Sequence, residues 1–193
     1  MSAAPQPEGE RLTIGHEPHD GALVQELVAE LMADIDVRYA EFGGVDGDVS
    51  PELLEQWRVT TAQVSPPAGT FAVARIDGEP VACGAVRRAL HQPAHIAELK
   101  RMYTRPTARR RGVSRALLAW LEAKAAALGY TRMHLETGLR QPEAIALYES
   151  AGWARIESYG PFEDDPLSVC YGKDLASPSS GPGGPTRTYH SQP

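Results

Sequence analysis

From Val113 onward apolar residues return every three or four positions, at Val113, Ala116, Leu117, Trp120, Leu121, Ala125 and Leu128, and Gly129 follows. That period lays one apolar stripe along a helix, and a glycine just past its end supplies the left-handed residue that stops it. The same spacing at Leu23, Leu27, Leu31 and Met32 predicts an earlier helix, with Asp20 placed to cap it. Ser50-Pro51-Glu52 offers a cap and then proline at the first helical position, which predicts a short helix to about Val59. PEAIALYESAG, with proline near its start and glycine at its end, reads as a further helix. Elsewhere the pattern is extended. RLTIGHE alternates as a first strand, and GTFAVARI and EPVACGAVRRAL flank Asp77-Gly78, a dipeptide suited to the positive φ angles of a type I′ turn, so they predict a hairpin. HIAELKRMYT follows as a third strand in an antiparallel series, and TRMHLET, WARIESYG and PLSVCYGKDL complete the strands. The helix between HIAELKRMYT and TRMHLET implies a crossover joining parallel neighbours. The expected fold class is α/β (α+β), one domain with a mixed sheet and helices on its faces.

Length and composition narrow this further. At 193 residues the chain suits one domain, with 42% hydrophobic and 23% charged residues as in a soluble globular protein. We expect the domain over residues 11–175, with residues 1–10 and the Ser/Gly/Pro-rich segment 176–193 disordered, since neither end can bury enough apolar surface to order itself. No stretch approaches the ~18–20 apolar residues of a membrane span. MSAAPQPEGERL is unlike a secretory signal, so a cytoplasmic location without membrane contact is expected. Cys83 and Cys170 sit inside apolar runs without metal-ligand spacing and read as small core residues, and no metal is expected.

Charge is unevenly distributed. The net charge of −6 argues against a surface devoted to nucleic acid. Yet the segment from Arg87 to Arg115 holds Arg87, Arg88, Lys100, Arg101, Arg105, Arg109, Arg110, Arg111 and Arg115 against one acid, Glu98. Acid gathers elsewhere, at Asp34, Asp36, Glu41, Asp46, Asp48, Glu52 and Glu55 and again at Glu163, Asp164 and Asp165. An anionic ligand in the middle and an amine on the flanks fit that split, and so do solvated faces of either sign. Arg109-Arg110-Arg111-Gly112-Val113-Ser114 falls between a strand and a helix. The N–H groups of a first helical turn lack intrahelical partners and carry the positive end of the helix dipole. Gly112 would let a phosphate approach the backbone, and flanking guanidinium groups could pair with its oxygens. Neither GxxxxGK[ST] nor GxGxxG is present. Solvated charge is the alternative for Arg105 and Arg115. A nucleic-acid patch would bring aromatic interleaving or a second basic face, and the sequence has neither.

Arg109-x-x-Gly112-x-Ser114 resembles the Arg/Gln-x-x-Gly-x-Gly/Ala signature of the GNAT superfamily of acyl-CoA-dependent N-acyltransferases, with Ser114 in place of the usual Gly or Ala. Ala144-Ile-Ala-Leu-Tyr148-Glu-Ser-Ala-Gly152-Trp153 resembles the family's Asn-x-x-Ala-x-x-x-Tyr-x-x-x-Gly-Phe motif, with Gln141 for Asn and Trp153 for Phe. The resemblance is strong over about residues 95–153 and topological over about 69–175. It implies a GNAT-like domain, a mostly antiparallel sheet of six to seven strands with about four helices, that uses acetyl-CoA as cosubstrate and a primary amine as acceptor.

The resemblance also assigns roles. The pyrophosphate loop would comprise Arg109, Arg110, Arg111, Gly112, Val113, Ser114 and Arg115, with Met102, Tyr103 and Thr104 along the pantetheine and Gln141, Ala144 and Tyr148 from the later motif. The Met102 backbone N–H would hold the carbonyl oxygen as charge develops, and Tyr148 would protonate the leaving thiolate. Glu98 is the candidate base for the incoming ammonium, with an ion pair to Lys100 or Arg101 as the other reading; Glu136 and His134 are weaker alternatives. Three functions are thereby set side by side: an N-acetyltransferase of unspecified acceptor, an acyl-CoA-binding sensor without turnover, and a basic-loop nucleic-acid binder. The acceptor would lie between residues 34–50 and Tyr159–Pro166, and edge strands of this topology often pair between subunits, which leaves a homodimer open.

Overall fold

The computed structural model describes residues 11–42 and 50–176 of the chain. Strand β1 (Leu12–His16) and helices α1 (Ala22–Tyr39) and α2 (Pro51–Trp57) lead into strands β2 (Thr70–Ile76), β3 (Glu79–Arg88) and β4 (Ile96–Thr104). Helix α3 (Val113–Ala127), strand β5 (Arg132–Gly138), helix α4 (Pro142–Ser150) and strands β6 (Ala154–Ile156) and β7 (Ser168–Asp174) follow. Apart from Ala176, the ends expected to be disordered lie outside the described residues, as do Asp46 and Asp48.

Local signals account for most of these boundaries. Asp77 (φ 50) and Gly78 (φ 90) turn the β2–β3 hairpin as their dipeptide predicts. The Ser50 hydroxyl accepts a hydrogen bond from the Leu53 N–H at 3.2 Å, and Pro51 begins α2. Gly129 and Gly152, at φ 92 and 82, end the turns after α3 and α4. Two expectations shift. The N-cap of α1 is Gly21, without a side-chain bond, so Asp20 does not cap it. WARIESYG pairs as a strand only over Ala154–Ile156; a 3-10 turn at Gly160–Phe162 then carries Phe162 into the core.

The sheet runs β1-β2-β3-β4-β5-β7-β6, seven strands in all. Every neighbour is antiparallel except β4 and β5, which α3 connects as a crossover. On one face α3 packs Leu117, Leu118 and Leu121 against Met133 and Leu135, with Tyr148 and Trp153 beside them. On the other, α1 lays Val24, Leu27 and Leu31 over Phe71, Val73 and Cys83. Cys83 and Cys170 are buried and unbridged, and burial pushes the Cys83 thiol up to about 12. Among the described residues no helix is long and apolar enough to cross a membrane.

A fully buried ion pair fastens α2 to this sheet. Arg87 Nε donates to Glu98 Oε2 at 2.8 Å, while Nη1 and Nη2 donate to the carbonyls of Arg58 and Gln56, each at 2.5 Å. Gln56 Nε2 donates to Glu98 Oε1 at 2.8 Å. The guanidinium thus satisfies carbonyls at the C-terminal end of α2, where a helix has no partners of its own. Removing one member leaves a buried charge uncompensated. Glu98→Ala should therefore lower the unfolding free energy by about 3–5 kcal/mol in urea melts, and an unchanged midpoint would contradict the pair's structural weight.

Candidate active site

β4 and β5 pair only at Ile96–Arg132, Ala97–Met133 and Glu98–His134. Beyond that point they part, and the gap opens into a cavity of about 510 Å³. Its β4 wall carries Leu99, Lys100, Arg101 and Met102, its β5 wall Glu136, Thr137 and Gly138. Tyr148 comes from α4 and Gln141 from its N-cap, Leu31, Met32, Ile35 and Tyr39 from α1, Leu53 and Trp57 from α2, and Asp164, Asp165 and Ser168 from the segment entering β7.

The β4 wall is irregular. Cys83 pairs with Tyr103 and Ala85 with Lys100, so Gly84 alone opposes Arg101 and Met102. This is a β-bulge, with Arg101 left-handed at φ 59. A Cβ on Gly84 would come within 2.7 Å of both the Met102 sulfur and Leu121 Cδ1, so a side chain there would displace the ends of those two side chains. Met102 consequently has no register partner on β3 or on β5. Where β4 ends, the Thr104 hydroxyl lies 2.9 Å from the Ser114 hydroxyl in the first turn of α3.

The loop before α3 has the anticipated form. Gly112 is the N-cap with φ 77, a left-handed conformation that favours glycine, and a Cβ there would meet no protein atom within 4 Å. The first α3 hydrogen bond runs from the Ala116 N–H to the Gly112 carbonyl at 3.0 Å, so the N–H groups of Val113, Ser114 and Arg115 have no partner inside the helix. Arg110 and Arg111 are exposed. Arg109 turns inward: Nε donates to the Thr104 carbonyl at 3.0 Å and Nη2 reaches Asp34 Oδ1 at 3.2 Å. Arg105, a solvated charge on one reading, instead joins Glu26 and Glu30 and donates to the Pro80 carbonyl. Arg115 bonds to Ser150. This open glycine turn, with unpaired amides and two exposed guanidinium groups, fits an anionic diphosphate.

Tyr148 is 5% exposed and packs beside Trp153 and Tyr171. Burial, reinforced by Glu136, raises its phenol well above the ordinary value, so it stays protonated and able to donate at neutral pH. Ala144 is half-buried on the same helix, and Tyr103 and Thr104 are buried in β4. Glu98, fully buried, is held by Arg87 and Gln56, with Lys100 Nζ at 3.5 Å from Oε1; its main partner is Arg87 rather than Lys100 or Arg101, and it does not line the cavity. His134 Nδ1 is enclosed without a partner, and burial lowers the ring's pKa.

Glu136 does line the cavity. Ser168 Oγ sits 2.7 Å from Glu136 Oε1 and 2.6 Å from Asp165 Oδ2. A hydroxyl donates one proton, so the second of these contacts is satisfied when one carboxyl group is itself protonated. Asp165 Oδ1 also accepts the Leu167 N–H at 2.9 Å. Burial raises the Glu136 pKa. Composition offered no sign of this trio, because it joins residues 136, 165 and 168 across two strands and a turn.

The acetyltransferase (GNAT) family model matches residues 30–153. The IAA acetyltransferase of Azospirillum brasilense is 37% identical over 152 residues, covering 79% of this chain and 93% of that protein. The uncharacterized N-acetyltransferase YjgM of Escherichia coli is 30% identical over 155 residues, 80% of this chain and 86% of its own. A crystal structure assigned to the acyl-CoA N-acyltransferases, from Klebsiella pneumoniae, superposes with a TM-score of 0.66 at 31% identity, covering 86% of this chain and 98% of that one. With its seven-stranded sheet, its glycine turn before the crossover helix and its helix tyrosine, the chain belongs to the GNAT family of acetyltransferases.

Proposed function

We propose that the protein transfers the acetyl group of acetyl-CoA to a primary amine by direct attack on the thioester, in the cavity between β4 and β5. The observation that carries this is the convergence of Met102, Glu136 and Tyr148 on one cavity that opens where β4 and β5 part. Acetyl-CoA is the cosubstrate general to the family. Its pyrophosphate would rest on the amides of Val113, Ser114 and Arg115 with Arg110 and Arg111 beside them, while Arg109 holds α1 through Asp34.

In this reading the ammonium of the acceptor gives a proton to the ionised Glu136, which completes the second of the two contacts at the Ser168 hydroxyl, and the amine nitrogen bonds to the acetyl carbonyl carbon. The Met102 N–H, on the bulge and out of register, supports the carbonyl oxygen as it gains charge. The carbon–sulfur bond then breaks, and Tyr148 donates its proton to the thiolate. Glu136 takes over the role of base that the resemblance offered to Glu98, since Glu98 is spent on Arg87. A carboxyl group with a raised pKa suits the task, because it holds a proton better near neutral pH than an exposed one.

Release of thiol from acetyl-CoA with a panel of amines tests the activity; coenzyme A binding without release would favour a sensor. Tyr148→Phe should lower kcat by about 10²- to 10⁴-fold, and full activity would remove Tyr148 from the reaction. Gly112→Asp, which adds strain and negative charge at the turn, should raise the apparent KM for acetyl-CoA at least about tenfold. Glu136→Gln should lower kcat and also change stability with pH. The raised pKa means that folding opposes ionisation of Glu136, so the wild type is penalised above that pKa. The variant should melt at higher urea than wild type at pH 8, and its advantage should fade as pH falls through the raised pKa into the ordinary carboxylate range. A pH-independent difference would contradict the assignment.

A further inference from the structure

Arginines withdrawn from solvent in this protein come with a carboxylate. Among the described residues, Arg38, Arg75, Arg87, Arg105, Arg109 and Arg132 are buried or half-buried, and each pairs with an aspartate or glutamate. Arg101 breaks the pattern. It is half-buried in the β4 wall of the cavity, and no carboxylate among the described residues forms an ion pair with it. Nη2 donates to the Trp57 carbonyl at 3.0 Å, and Nη1 points at the Met32 thioether sulfur at 3.0 Å, a weak acceptor. Nε is enclosed and has no acceptor among the described residues.

The position is expensive for a lone cation. Burial, with the Arg87 charge added, pulls the Arg101 pKa below its ordinary value, and the left-handed φ of 59 adds backbone strain. A guanidinium presents five N–H donors in a planar fork that matches a carboxylate, and most of these donors are unused here. The β5 wall has the complementary chemistry: the Ser168 hydroxyl bridges Glu136 and Asp165, and Asp164 belongs to the same lining. Leu31, Ile35, Leu53 and Trp57 form the apolar part of the lining contributed by α1 and α2.

We propose that the acetyl acceptor is an amino acid with an apolar side chain, whose amine meets Glu136 and whose carboxylate completes the coordination of Arg101. This rests on reading the cavity as the acceptor site of an acetyl transfer. Arg101 is a specificity-determining residue in that scheme, for it engages the acceptor away from the bond that forms.

The test uses the full chain and matched acceptors: phenylalanine against phenylalaninamide and phenethylamine, and the leucine and methionine series likewise. The free acids should exceed their amides and decarboxylated amines by about 10- to 100-fold in kcat/KM. Arg101→Met should abolish that preference while leaving the KM for acetyl-CoA unchanged, and Arg101→Lys should retain part of it. Transfer to all three forms at equal efficiency overturns the proposal while leaving acetyl transfer intact. If no amine is acetylated, the transfer reading fails and takes the acceptor assignment with it, and calorimetry of phenylalanine against its amide on the coenzyme A-loaded protein decides the carboxylate contact alone: carboxylate-dependent binding lost in Arg101→Met upholds that contact, and equal or absent binding overturns it. Should Arg101→Met fail to fold, the wild-type comparison of acid with amide decides alone.

Discussion

The separation of β4 from β5 after three paired residues is the constraint on which the rest of the molecule turns. Two parallel strands in the middle of a sheet would ordinarily pair along their length, and each pair left unmade exposes N–H and C=O groups that need other partners. Here the loss coincides with a bulge on β4, a left-handed Arg101 and a glycine on β3 that makes room for the Met102 side chain. The opening is held by what surrounds it. α1 docks its Tyr39 hydroxyl so closely against Gly138 that a Cβ there would collide with it, and the Arg140 N–H donates to that hydroxyl at 3.1 Å.

Charge in this protein divides between scaffold and site. Arg87, Arg105 and Arg109 spend their donors on carboxylates and carbonyls that fasten α1 and α2 to the sheet. Much of the acidic surplus has a mundane purpose: Asp34 serves Arg38 and Arg109, Glu30 serves Arg105, and Glu41 serves Arg140. What remains facing the cavity is a short set, Lys100 and Arg101 on one wall and Glu136, Asp164 and Asp165 on the other.

Glu98 and Glu136 illustrate how two similar carboxylates acquire different uses. Both lie on the central strands, and both are withdrawn from water. Glu98 is met by a guanidinium on one oxygen and an amide on the other. Glu136 faces a hydroxyl and a second carboxylate, so burial acts on it without a bound cation to offset it. Lys100 is close enough to lower its pKa somewhat, though burial prevails.

By itself the sequence determined the elements and the family. The helical periods of α1, α3 and α4, the Ser50-Pro51 start of α2, the Asp77-Gly78 turn and the positive-φ Gly112 all depend on residues a few positions apart, where backbone geometry imposes the pattern directly. Tyr148 was legible for the same reason, as part of a motif within one helix. Tertiary structure alone decided which charges meet. The Arg87–Glu98 pairing, the Arg109–Asp34 contact, the Arg105 cluster with Glu26 and Glu30, and the Glu136–Ser168 contact join residues 11 to 79 positions apart. No periodicity encodes such contacts, because a long side chain takes its partner from whatever the fold brings within about 3 Å of it, and only packing fixes that distance.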